Sequence, residues 1–222
     1  MDNKTLETKA EEFAPFLIAL VEKTVSSLMD GIVQFQKARI KSLPMLERFR
    51  VNKQTRADRE RLEPVVRHEI LCFIVHLTDR LVSQLTVGLF GREGEEERGV
   101  FMDSLVRAIC QCLLRICRSE VVIEWPKSLN ARQAEYSQYQ LILAEESYAK
   151  KKDLFWAFTK KIVFLLELSE SSENDDRWLA ESSENFELWL FSVGLIRKYC
   201  DVIAYELVES LGDIFAPDSP CI

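Results

Sequence analysis

The chain has two histidines, His68 and His76, with Cys72 midway between them. Imidazole and thiolate are the side chains that hold zinc and iron, and a His-x3-Cys-x3-His spacing sets all three on one side of a helix. Distance limits what they can do there. Neighbours four apart on a straight helix are separated by about 6 Å and the outer two by about 12 Å, so one ion cannot take both histidines. At most two would bind, with other helices completing the site. His68, Cys72 and His76 are therefore weak metal candidates beside the plainer reading of a buried cysteine flanked by histidines. The run His68-Glu69-Ile70-Leu71-Cys72 falls one residue short of H-E-x-x-H, because cysteine stands where a zinc protease needs its second histidine. A helical di-iron site needs glutamate three residues before each histidine, and Val65 and Phe73 occupy those places.

Nucleophilic and phosphate chemistry leave no better signature. There is no G-x-S-x-G elbow, no G-x-x-x-x-G-K-[ST] loop and no G-x-G-x-x-G. The glycines Gly88, Gly91, Gly94 and Gly99 are spaced as a helix connection, and Glu95, Glu96 and Glu97 beside them would repel a phosphate. The acidic pairs Glu145-Glu146 and Asp175-Asp176 could hold magnesium only if another helix added carboxylates. Cys110 and Cys112 lie about 200° apart on a helix, so they do not form a zinc clasp. The other cysteines, Cys117, Cys200 and Cys221, show no paired spacing either. No catalytic set and no cofactor are expected.

Charge is the feature that stands out. Residues 37–61 carry nine basic side chains against three acidic ones, a net +6, whereas the whole chain is −7. Residues 167–187 carry eight acids against Arg177, a net −7. Lys41, Arg48, Arg50, Lys53, Arg56 and Arg59 are the candidate contacts for an anionic partner. The basic and acidic stretches could also face each other within the fold or across a homodimer. Phe49 is the one aromatic among the basic residues and the sequence pI is near 5.1, which disfavours nucleic acid relative to protein.

The elements that must carry these residues are helices. Gly (7) and Pro (6) are scarce among 222 residues, so long uninterrupted segments are expected. Phe13, Leu17, Leu20, Thr24, Leu28, Ile32, Phe35 and Ala38 form one helical stripe. Pro15 fits best in a first turn, which places the helix start near Glu12, and Pro44 ends it. Over 44–63, Thr55 with Asp58 loosely matches a capping box, and Pro64 either opens the next helix or kinks it. Val65 to Phe90 reads as a buried helix stopped by Gly88, Gly91 and Gly94. Glu96 to Arg118 reads as another, with Phe101, Leu105, Ile109, Cys112 and Ile116 on one side. Ser119 to Trp125 has strand-like composition, ended by Pro126. Residues 130–168 lack glycine and proline and could form one long helix, with a break near 149–153 at Lys151 and Lys152. Ser169 to Asp176 reads as a loop, and a last helix runs from Ser183 to Leu211 with Gly212 as its cap.

The expected architecture is thus all-α, an antiparallel bundle of five main helices, up to seven with short ones, in a single domain over 1–222 with frayed ends at 1–10 and 213–222. The polar start lacks a secretory signal and no apolar run reaches the ~18–20 residues that span a bilayer. A soluble, cytoplasmic protein is expected. In function it reads first as a non-enzymatic interaction protein, an adaptor, regulatory or chaperone-like subunit with a protein partner or a homo-oligomeric state. A metal- or small-ligand-binding helical enzyme near His68, Cys72 and His76 is the alternative. A nucleic-acid binder through 37–61 comes third.

Overall fold

In the computed structural model, backbone is described for residues 3–41, 45–90, 94–116, 119–141, 153–165 and 183–215, and side chains within 3–31, 60–84, 94–114, 125–141, 153–165 and 194–211 except 196. Six α-helices account for nearly all of it: α1 (Asn3–Lys41), α2 (Met45–Phe90), α3 (Glu95–Ile116), α4 (Ser119–Tyr136), α5 (Leu154–Leu165) and α6 (Ser183–Phe215). No strand occurs among the described residues. The chain is all-α, as its periodicity predicts.

The stripe of α1 is buried where it is described. Phe13, Leu17, Leu20, Thr24 and Leu28 all face inward, together with Leu6, Ala10 and Ala14. That extension overturns the expected start near Glu12. The helix begins at Asn3 and carries Pro15 inside it. An interior proline costs about 3 kcal/mol. The first turns offset this by sinking Leu6 and Phe13 into the core, each contributing about 1.5–3 kcal/mol, with smaller gains from the methyls of Ala10 and Ala14.

Pro64 likewise lies within α2, so Thr55 and Asp58 cap nothing. A cap residue must leave the helical conformation, and residue 55 is mid-helix. Gly88 does not stop α2, which runs on to Phe90, and Gly212 does not cap α6, which runs to Phe215. One glycine costs about 1 kcal/mol in a helix, too little to end it alone. Every residue from Glu69 to Thr78 is buried, which is burial on all sides of a helix rather than one face.

Two other expectations fail for identifiable reasons. Ser119 to Trp125 is not a strand but the start of α4, with Pro126 inside. Val and Ile lose only a few tenths of a kcal/mol in a helix, and a lone strand would have no edge to pair with. Trp125 and Leu129, four apart, anchor this helix in the core. Nor is 130–168 one helix. It breaks after Tyr136, well before Lys151. There the Ser137 hydroxyl (2.9 Å) and the Gln138 amide (3.4 Å) both donate to the Ala134 carbonyl. Such side chains compete with the backbone for the last acceptors. The chain resumes at α5, where Asp153 Oδ1 accepts from the Trp156 N–H at 2.8 Å as an N-cap. The Leu154 N–H donates to the Gln140 carbonyl at 2.9 Å and closes the base of the excursion. The loop expected at 169–176 lies outside the described residues.

The helices group into two compact units, to both of which α1 and α2 contribute. One unit comprises Met1–Leu20, Cys72–Gln133 and Lys198–Ile222. Phe101, Leu105, Ile109, Trp125, Ile203 and Leu207 are buried in it, and the rings of Phe13 and Phe101 lie 6.2 Å apart. The other comprises Val21–Leu71 and Ala134–Arg197. Val25, Leu28, Val66, Ile70, Phe155, Phe158 and Ile162 are buried there. Tyr139 and Trp156 pack with centroids 6.3 Å apart, and the Lys160 ammonium sits 4.9 Å over the Trp156 ring.

Candidate functional site

The sequence candidates fall in two places. Lys41 is the last residue of α1, and Arg48, Arg50, Lys53, Arg56 and Arg59 lie on the first part of α2. Their backbone is helical and their side chains lie outside the described residues. At about 100° per residue, positions 48, 56 and 59 share an arc of roughly 80° of the helix, with 53 and 50 further round. Glu184 and Glu187 of the acidic stretch fall on α6, and 167–182 lie outside the described residues.

His68 is half-buried, while Cys72 and His76 are 0 % and 3 % exposed. Burial pushes the His76 imidazolium down to about pKa 4, helped by the nearby positive charge of Arg80 and opposed by Asp79. A neutral ring follows at ordinary pH. Among the described residues, no group of three or more His, Cys, Asp or Glu is placed to hold a metal ion. Glu145-Glu146 and Asp175-Asp176 lie outside them. Of the cysteines, Cys200 is also buried and Cys110 and Cys112 are half-buried; none of these four forms a disulfide. Burial raises the Cys110 thiol above its usual range, which makes it a poorer nucleophile.

Among the described residues, the first unit has a groove open to solvent, a cavity of about 360 Å³. One wall is a single face of α3: Glu95, Arg98, Gly99, Met102, Asp103 and Val106, in steps of three and four. The other is a single face of α4: Pro126, Leu129, Asn130 and Gln133. Asp79 of α2 completes it. Met102 and Leu129 are buried, whereas Glu95, Asp103 and Asn130 are exposed. Apolar side chains thus make the floor and polar ones the rim.

Electrostatics divide the charged residues. The Arg98 guanidinium donates to both oxygens of Asp79, at 2.8 and 2.7 Å. That bidentate bond, with the charges of Asp79 and Glu95, raises the Arg98 pKa above its ordinary value against the cost of its burial. With Asp79 so engaged, Glu95 and Asp103 are the carboxylates left over, and the lining as a whole carries three acids and one base. Asn130 and Gln133 each present a donor and an acceptor. The described lining holds no hydroxyl, thiol, amine or imidazole. Its chemistry is charge, amide hydrogen bonding and apolar contact.

Sequence reasoning missed this groove. Ser119 to Trp125 read as a strand, so α4 had no continuous face to set against α3. The available signal was the acidic and amide positions recurring beside apolar ones at steps of three and four, in Glu95-Met102-Asp103-Val106 and in Leu129-Asn130-Gln133.

No family model matches the chain, and no curated protein or solved structure matches it. No described helix is long and apolar enough to cross a membrane.

Proposed function

We propose that the chain is a non-enzymatic helical interaction protein, an adaptor, regulatory or chaperone-like subunit of the cytoplasm that works through protein–protein contacts. One observation carries this reading. Cys72, His76 and Cys200 are buried, His68, Cys110 and Cys112 are half-buried, and none of the six lines the open groove, whose lining is apolar, amide and charged. Grooves of that make-up bind by fit and charge. The net charge of +6 over residues 37–61, with positions 48, 56 and 59 within about 80° of one another around α2, supports an acidic partner for that stretch. Exposed Tyr205 and Val208, one turn apart on α6, leave apolar surface in water that an assembly would cover.

The test is affinity capture from lysate, run with and without nuclease treatment, with the intact chain as bait. A protein should be retained by the wild type and lost from the fourfold variant Arg48→Glu, Arg50→Glu, Arg56→Glu, Arg59→Glu. Retention unchanged in the variant removes the basic stretch from the reading. Capture that disappears on nuclease treatment replaces protein with nucleic acid as the partner. A bait that retains nothing refutes the interaction reading itself.

A further inference from the structure

We infer that the groove between α3 and α4 receives a basic side chain, arginine or lysine, presented by a peptide segment of the partner. This rests on the interaction reading above and names what one of its surfaces recognises.

Three observations converge. The first is charge complementarity: with Asp79 held by Arg98, the carboxylates of Glu95 and Asp103 are surplus along the rim of α3, and a cation would balance them. The second is the floor. Arginine and lysine carry a long aliphatic stem behind the charge, and Met102, Val106 and Leu129 offer that stem an apolar bed. The third is the α4 wall, where Asn130 and Gln133 stand one turn apart. A primary amide can accept from a peptide N–H and donate to a peptide C=O, which a free small cation would not use. The volume of about 360 Å³ is at the small end of ligand cavities, enough for one long side chain and not for a folded element. A phosphate or other anion would meet three carboxylates against the single guanidinium of Arg98, a balance that disfavours it.

The experiment is a titration of the isotope-labelled full chain, followed by amide NMR, with the blocked pentapeptide acetyl-Ala-Ala-Arg-Ala-Ala-amide. Saturable shifts are expected at Gly99, Asp103 and the side-chain amides of Asn130 and Gln133, with Kd on the order of 1 mM. The same peptide with neutral citrulline in place of arginine should bind at least about tenfold more weakly. Asp103→Asn and Glu95→Gln should each weaken the arginine peptide about threefold, as for an exposed charge pair, and added salt should do the same. Both positions are exposed, so the fold stays intact and the rest of the spectrum reports it. A Cβ built at Gly99 meets nothing within 4 Å, so a side chain can begin there without a clash, and Gly99→Leu, standing in the lining, should abolish the shifts. Equal binding of the citrulline peptide, or full affinity in both carboxylate variants, overturns the charge argument. Agmatine binding as tightly as the peptide assigns the groove to small cations and overturns the peptide assignment. Absence of any shift at these residues overturns the site while leaving the captured partner of the preceding experiment untouched.

Discussion

Each compact unit joins a half-exposed arginine clamp to a buried polar side chain on α2, and the two units use that pairing differently. In one, Arg67 donates to Glu22 of α1 at 2.9 and 3.1 Å and to Glu63 at 2.9 Å, and buried Glu69 accepts a hydrogen bond from the Tyr136 hydroxyl of α4. In the other, Arg98 of α3 clamps Asp79, and buried His76 sits one turn before that aspartate. Burial disfavours the charge of Arg67, but the bonds and charge of Glu22, then of Glu63, more than restore it. Arg67 therefore answers two acids on a helix surface. Arg98 answers one acid and stands in the wall of a groove that holds two more. The same chemistry fastens helices in the first case and leaves uncompensated charge beside a hollow in the second. The buried groups differ in the same sense: Glu69 is given a donor, while His76 is kept neutral by desolvation.

The largest expected effect concerns His76. Its pKa falls from 6.5 in the unfolded chain to about 4 in the folded one, so between those values the unfolded state binds the extra proton. Stability is then fully present above pH 6.5 and is lost as pH falls toward 4, by roughly 3 kcal/mol in all. His76→Leu should flatten urea-unfolding stability across that range; an unchanged slope would show that the ring is not desolvated. The next is Tyr136→Phe, which removes the donor aimed at buried Glu69 and should cost about 2 kcal/mol in the same assay. A change under about 0.5 kcal/mol would mean that the two units do not differ in how they treat a buried polar group. The smallest effect on stability separates the clamps. Arg67→Met and Arg98→Met should each cost under about 1 kcal/mol, because both pairs are partly solvated. Only Arg98→Met should tighten binding of the arginine pentapeptide, since it frees Asp79 and removes the one positive charge in the groove. Equal affinities in the two variants would erase the distinction drawn between them.

The sequence displays the helices more clearly than their ends. The stripe from Phe13 to Leu28 and the run Phe101, Leu105, Ile109 are legible because burial selects apolar side chains with the period of the helix. Pro15 and Pro126 mislead because a local penalty says nothing about the burial that offsets it, whereas Pro64 lies inside α2, one of the two places its sequence allows. The break after Tyr136 misleads in the opposite way: Ser137 and Gln138 end a helix without any glycine or proline, by taking a carbonyl for their own side chains. Asp153 stands at the end of 149–153, where the two lysines already suggest a break, and its cap role shows only in the bond from the Trp156 N–H. Burial raises its carboxyl above the ordinary range, the Trp156 N–H pulling the other way, so its charge is costly there and its placement is dictated by the start of α5. The groove is illegible for a further reason. Asp103, Asn130 and Gln133 look like any solvated helix residues until two helices are laid side by side.

Pro126 belongs at once to the groove and to the interior of α4. Having no N–H, it leaves the Val122 carbonyl without its usual rung, and a helix bends most easily where a rung is missing. Leu129, Asn130 and Gln133 lie just beyond that point, on the same helix. The wall they form is therefore held in place by the burial of Trp125 and Leu129 on either side of the gap rather than by an unbroken backbone ladder.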